Sequence, residues 1–383
     1  MLSCYDFPMQ NYEEKLEELK QNACFRTIKN IEHKTSKYII VEGKKMLNLS
    51  SNDYLNLSTD EDLKLEFIEK YKNNPEFLFS SASARLLTGT SNCYKKLENN
   101  FAKLFNKEGA LLFNTGYQAN QGVISALFSK GDCIFCDKLN HASIVSGLKL
   151  SQAEHFRYKH NDYDNLEKLL KEKRANFKNA IIVSESVFSM DGDIADIKKL
   201  VELKKKYNCL LMIDEAHAFG VFGDNLQGVS AQNDLLDEID IITITLGKSL
   251  ASMGAVCLAN KTIIDYLINK ASSFIFSTAI APVNVMWSNF LLEEKFELLK
   301  EKKEKLNSLF KKVHKIYPTI SSSQIIPVVL GESDVTRKKA LELQQQGFYV
   351  LPINPPTVPK GTSRLRISLT SEIEFEEICN IFG

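Results

Sequence analysis

Short uninterrupted apolar runs alternate with longer amphipathic stretches through the middle of this chain, and that alternation predicts an α/β domain. The apolar runs read as strands at Gly109 to Phe113, Asp132 to Cys136, Glu154 to Tyr158, Ala180 to Ser184, Cys209 to Asp214, Asp240 to Thr245 and Gly254 to Ala259. They lack polar–apolar alternation, as expected of parallel strands buried on both faces. Helical spacing of apolar residues marks Asn92 to Asn106, Tyr117 to Phe128, Asp162 to Lys173 and Ile194 to Tyr207 between most of them. The expected core is a mostly parallel seven-stranded sheet covered by helices.

The flanks read differently. Residues 1–50 form an arm, with a helical pattern from Tyr12 to Asn22 and strand-like runs at Lys37 to Val41 and Lys45 to Leu49 around Glu42-Gly43. Residues 51–283 hold the large α/β domain. From residue 284 to 383 a smaller α+β domain is expected, opening with a charged helical stretch, Leu291 to Val313, whose Glu and Lys residues suit a solvated face. A strand near Gln324 to Leu330, a helix near Val335 to Gln346, strands at Tyr349 to Pro352 and Arg364 to Ser368, and a final helix from Ser371 complete it.

Composition narrows the class of function. The 48 basic and 48 acidic residues cancel, so the chain lacks the electrostatic footprint of a nucleic-acid binder. Hydrophobic content of 44% and charged content of 25% are ordinary for a globular protein. No run of about 18 apolar residues predicts a membrane span, and Met1 to Gln10 do not read as a signal peptide, so a cytoplasmic protein is expected. The 8 cysteines, from Cys4 to Cys379, are then expected to be reduced. Cys133 and Cys136 match C-x-x-C but read as two positions of one apolar strand, and no metal is expected.

Candidate chemistry gathers at strand ends. One strand closes on Asp214-Glu215-Ala216-His217 and the next is followed by Lys248, so a carboxylate, an imidazole and an amine reach the end of the sheet where ligands bind. These are the groups needed to hold pyridoxal phosphate. Two other readings fail on placement. Gly247-Lys248-Ser249 resembles the close of a phosphate-binding loop, but the glycine required five residues earlier is Ile242. The acidic box precedes the lysine instead of following it, and no G-x-G-x-x-G follows the first strand.

Further blocks surround this constellation: Ser50 to Leu55, Asn114 to Asn120, Asn140 to Ser143, Glu185 to Asp193, and Pro355 to Thr370. With them the chain resembles the α-oxoamine synthase family of fold-type I pyridoxal-phosphate enzymes, from roughly Asn48 to Leu369. The resemblance implies pyridoxal 5'-phosphate as cofactor and a homodimer with shared active sites. It implies that Gly116, Tyr117 and Thr245 take the cofactor phosphate, with Ser277 and Thr278 matching a stretch that the family borrows from the neighbouring subunit. It implies that Asp214 pairs with the pyridine nitrogen, that His217 and Ser189 support the phenolic edge, and that His141 stacks on the ring. Lys248 is then the Schiff-base lysine and the base at the substrate Cα, and Arg366 the holder of the substrate carboxylate. Asn52 matches a residue of the substrate wall. Arg26 and Arg85 match substrate-side positions less well, and a surface salt bridge accounts for either equally.

Within that family the text favours L-alanine and a pimeloyl thioester, carried on coenzyme A or an acyl carrier protein. Glycine-using relatives that make 2-amino-3-oxobutyrate or aminolevulinate stay open, as does a catalytically silent partner subunit. The chain departs from the family at Ala251, where glycine is usual, and across Phe77 to Arg85, where serine and alanine replace glycine. Both departures concern substrate fit.

Overall fold

A computed structural model describes residues 10–381, apart from the side chain of Gln10. Cys4 and residues 1–9 of the segment read for a signal peptide lie outside the described residues. The arm opens with a helix, Gln10–Gln21, and then folds on itself as β1 (His33–Thr35), β2 (Tyr38–Val41) and β3 (Lys44–Asn48), each antiparallel to the next. Glu42 and Gly43 join β2 to β3 with φ of 52° and 71°, the left-handed pair that a two-residue hairpin turn requires.

The central sheet contains β4 (Gly109–Phe113), β5 (Cys133–Asp137), β6 (Glu154–Tyr158), β7 (Ala180–Glu185), β8 (Leu210–Asp214), β9 (Ile241–Thr245) and β10 (Ala255–Ala259). Their order is β4-β10-β9-β8-β7-β5-β6, with β10 antiparallel to both neighbours and the other pairs parallel. Alternate residues of one strand enter different cores. Phe135, Ile182, Leu211 and Ile242 pack in one, while Ile134, Ile181, Met212 and Ile241 pack in the other. Burial on both faces is why these strands show no alternation. Cys133 and Cys136 both lie in β5 and face opposite cores, and burial pushes both thiols up to about 12.

The C-terminal part corrects three expectations. The charged stretch is two helices, Pro282–Glu294 and Phe296–Ile316, divided at Lys295. Its lysines are not all solvated: Lys302 and Lys303 are buried, one on Glu372 (2.9 Å) and the other on the Gly223 carbonyl (3.1 Å). The strand expected at Tyr349 to Pro352 divides into β12 (Phe348–Tyr349) and β13 (Pro352–Ile353), which follow β11 (Ile325–Gly331) and precede β14 (Ser363–Ser368). β12 lies parallel to β3 of the arm, whereas β13 completes a β11-β14-β13 sheet. Among the described residues no helix is long and apolar enough to cross a membrane.

Candidate active site

Residues far apart in sequence meet beyond the carboxyl ends of β8 and β9. The Lys248 amine lies 2.9 Å from His217 Nε2, and His217 Nδ1 lies 2.6 Å from the Tyr54 hydroxyl. That hydroxyl is 3.3 Å from Asn52 Oδ1 and 3.5 Å from Arg366 Nη2. Burial drives His217 well below the usual histidine range, and the Lys248 and Arg366 charges push the same way. A neutral ring has one N–H. With an ammonium donating to Nε2, the Nδ1–H donates to Tyr54, whose own proton then goes to Asn52. Burial also draws the Lys248 amine down to about 8, against the carboxylates of Asp214 and Glu185 and with help from Arg366.

Asp214 ends β8, 5% exposed, and accepts from Asn120 Nδ2 (2.7 Å) and from the Ala216 N–H (2.9 Å). Asn120 is itself fixed, accepting from the Thr243 hydroxyl at 3.0 Å. A carboxylate has about four lone-pair positions, so Asp214 keeps room for a cationic donor. Across from it the helix Gly116–Leu127 begins, capped by Thr115, which accepts from the Gln118 N–H at 3.1 Å. Among the described residues no acceptor reaches the N–H groups of Gly116 and Tyr117. A Cβ at Gly116 would come within 2.6 Å of Thr245 Cγ2, so only glycine lets this turn close beside Thr245. Two open N–H groups at a helix start, with a hydroxyl alongside, suit a phosphate.

His141 follows β5. Its backbone N–H donates to Glu185 Oε1 at 2.5 Å, and its Nδ1 accepts from the Ser143 N–H at 3.2 Å. Burial lowers its pKa, Asp214 raises it and Lys248 lowers it, which leaves a neutral ring with its proton on Nε2. Arg366, on β14, spends its donors on neutral oxygens: Ser189 O (2.5 Å), Asn52 Oδ1 (3.1 Å) and Ser368 Oγ (2.8 Å). It is 8% exposed, and among the described residues no carboxylate lies within ion-pair distance of it. A buried guanidinium without an acid is costly unless an anionic ligand supplies one.

The aminotransferase class I and II family matches residues 44–382. A protein of Haemophilus influenzae named "Putative 8-amino-7-oxononanoate synthase" is 45% identical over 376 residues, which cover 97% of this chain and 98% of that one. A Neisseria meningitidis protein of the same name matches equally well, at 45% with the same 97% and 98% coverage. This chain belongs to the aminotransferase class I and II family. It is a fold-type I pyridoxal-phosphate enzyme of the α-oxoamine synthase group. Solved structures agree: a serine palmitoyltransferase from S. paucimobilis with a bound PLP-myriocin aldimine superposes with TM-score 0.87 at 27% identity, covering 98% of this chain and 96% of that one. An 8-amino-7-oxononanoate synthase from Francisella tularensis gives TM-score 0.71 at 29% identity, covering 88% and 95%.

Other residues singled out for this α-oxoamine synthase lie outside the Lys248 network. Arg85 is neither free nor on the surface: it pairs with Glu98 (3.0 Å), bonds Thr90 (2.9 Å), and sits 4.7 Å over the Tyr94 ring. Arg26 is exposed and bonds Thr357 Oγ1 at 2.7 Å, tying the arm to the C-terminal loop. Ser277 donates to the Ser273 carbonyl (2.7 Å) and accepts from Gln118 Nε2 (3.3 Å), and the Thr278 carbonyl accepts from Asn114 Nδ2 (2.6 Å). Both therefore flank the start of the Gly116 helix. A cleft of about 630 Å³ opens beside Lys248, lined among others by Lys34, Ser51, Asn52, Ala251 and Tyr349. Ala251 takes φ of 45° there, a conformation that favours glycine, which accounts for the usual residue at that position.

Sequence reasoning gave no role to Tyr54, Asn120 or Glu185. Each lies inside a quoted block, but only the assembled structure shows a phenol joining His217 to Arg366 or an amide holding Asp214. One signal was available: Asn120 stands four residues after Gly116, on the same face of its helix.

Proposed function

We propose that this enzyme condenses L-alanine with a pimeloyl thioester, on coenzyme A or an acyl carrier protein, to give 8-amino-7-oxononanoate, carbon dioxide and the free thiol, a step of biotin biosynthesis. The observation that carries the reading is the pairing of a buried amine held near a pKa of about 8 with a buried guanidinium that meets no acid among the described residues. One is suited to bind a cofactor aldehyde and take a proton, the other to hold an amino-acid carboxylate. The choice of L-alanine and pimelate rests on the names of the relatives that match at 45% identity.

The residues present fit pyridoxal phosphate. Gly116, Tyr117 and Thr245 would take its phosphate, Asp214 its ring nitrogen, His217 and Ser189 its phenolic edge, and Lys248 its aldehyde carbon. Bound there, the cofactor draws electron density away from the substrate Cα. Asp214 would keep the ring nitrogen protonated. Lys248, as a free amine, would accept the Cα proton. Arg366 and Asn52 orient the carboxylate while Cα bonds to the thioester carbon and the C–S bond breaks. Loss of the carboxylate as carbon dioxide is followed by return of a proton to Cα. His141 would lie beside the ring and offer its Nε2–H as an acid.

The reading includes a homodimer. Phe79, Leu87 and Phe276 are 80%, 78% and 84% exposed, and the bridge between Ala84 and Thr278 brings their segments together. Large exposed aromatic and aliphatic groups in one patch fit a second copy, whose Ser277 and Thr278 hydroxyls would complete the phosphate site. The proposed organisation is an arm (1–50) docked through β12 on a small domain (284–383), beside a large domain (51–283).

Product mass after incubation with pyridoxal phosphate, L-alanine and pimeloyl-coenzyme A tests the assignment. The expected product is 8-amino-7-oxononanoate. Faster condensation of glycine would move the enzyme to the glycine users, and absence of cofactor absorbance after purification would make it a silent subunit.

A further inference from the structure

One half-buried histidine takes no part in the chemistry above. His160 sits just past β6, with Nδ1 3.0 Å from Asp137 Oδ1 and Nε2 2.7 Å from Asp193 Oδ2. Asp137 ends β5 and its carboxylate also accepts from the N–H groups of Leu139 (2.7 Å) and Asn161 (2.9 Å), which pins the turn leading into His141. Asp193 closes the turn from Phe188: its carbonyl accepts from the Phe188 N–H at 3.1 Å, and its carboxylate from Asn161 Nδ2 at 2.7 Å. That turn presents the Ser189 carbonyl to Arg366 and the Asp191 carboxylate to Arg364. The Phe188 ring stands edge-on to His160, with centroids 4.4 Å apart.

We infer that His160 is a positioning residue, a two-sided clamp that holds the His141 loop and the Ser189 turn at a fixed separation and so sets the geometry between the cofactor face and the Arg366 seat. It rests on the roles of His141 and Arg366 given above. Two carboxylates facing two ring nitrogens are satisfied only when both nitrogens carry protons. Burial pulls the imidazole pKa down, but hydrogen bonds to Asp137 and Asp193, and then their charges, carry it up to about 10. The nearby Tyr163 and Tyr158 hydroxyls are held as neutral phenols by burial. The imidazolium is therefore a permanent cation across the neutral range. Asn161 joins the same two carboxylates through its N–H and its Nδ2, so the imidazolium, bonded at both ring nitrogens, is the charged half of the clamp.

The test uses the full-length holoenzyme. His160→Gln keeps a donor for one carboxylate but cannot bridge both. Cofactor loading through Lys248 should persist, while the dissociation constant of an amino acid, read from its perturbation of cofactor absorbance, rises about tenfold, as a sub-ångström shift of an orienting group would cause. KM should rise by more than kcat falls. Asp193→Asn, which retains an acceptor for Nε2–H, should shift the same constant in the same direction by less, and it serves if His160→Gln does not fold. The amino acid is whichever of L-alanine, glycine and L-serine binds the unaltered enzyme best, so failure of the L-alanine assignment leaves this measurement intact. Dissociation constants within about twofold of the unaltered enzyme at equal loading would overturn the clamp. So would long-range proton–nitrogen NMR of the holoenzyme showing a singly protonated His160 at about pH 8, above the ordinary histidine range.

Discussion

His217 and His160 follow β8 and β6 at the carboxyl edge of one sheet, both held through both ring nitrogens, yet their surroundings drive them to opposite charge. His217, on the cofactor face, meets an amine, a phenol and a nearby guanidinium, and burial among positive groups keeps it neutral. His160, less deeply buried, meets two carboxylates that overcome its burial cost. Burial alone therefore says nothing about the state of a histidine; the sign of the groups at its two nitrogens decides. The face that binds ligand carries surplus positive charge, in Lys248 and Arg366. Around His160 the two carboxylates outnumber the single imidazolium, so negative charge is in surplus there.

Removing the amine breaks the cofactor face most completely. Lys248→Ala should keep its fold and lose covalent cofactor attachment, with turnover down by about a thousandfold or more. Borohydride reduction followed by peptide mass analysis should place the label of the unaltered enzyme at residue 248. Asp214→Asn preserves the Asn120 contact in shape but not the charge. Loss of a charge opposite a ring cation costs about 3 kcal/mol, or on the order of a hundredfold in kcat, measurable at saturating cofactor. Arg366→Lys keeps the charge and loses the planar fork, so KM for the amino acid should rise about tenfold with a smaller change in kcat.

The two histidines also make opposite predictions for stability against pH. His160 has a folded pKa of about 10, above its unfolded value, so its contribution is full below about pH 6.5 and fades as pH rises toward 10. His217 is held low when folded, so it destabilises as pH falls below about 6.5, where the unfolded chain takes up a proton that the folded one refuses. Denaturant titrations of His160→Gln should accordingly show less loss of stability between neutral pH and pH about 10 than the unaltered protein. The smallest effect is expected at Ala251. Ala251→Gly relieves a left-handed alanine and should leave stability within about 1 kcal/mol, slightly favourable, while widening the cleft beside Lys248 for longer acyl chains.

Much of this was legible in the residues. The central sheet could be read because its strands are buried on both faces, which leaves apolar runs with sharp ends, and Asp214 and Lys248 stand at those ends. The C-terminal region was harder. A break at Lys295 carries no proline or glycine, and the split of residues 348–353 between two sheets depends on β12 pairing with β3, near the start of the chain, while β13 pairs with the neighbouring β14. The carry-overs show the same limit: Arg85 and Arg366 look alike in sequence, but Glu98 neutralises the first and no acid among the described residues meets the second.

Residue order alone determined the α/β class, the strand-end positions of the amine and the acid, and the family, because hydrophobic period and motif spacing are local properties of the chain. Only the tertiary structure decided which arginine keeps its charge for a ligand, which histidine is neutral, and that Tyr54 and His160 tie the site together. Those depend on what stands within about 3 Å of each polar atom in a buried setting, where one neighbour's charge outweighs the residue's own preference.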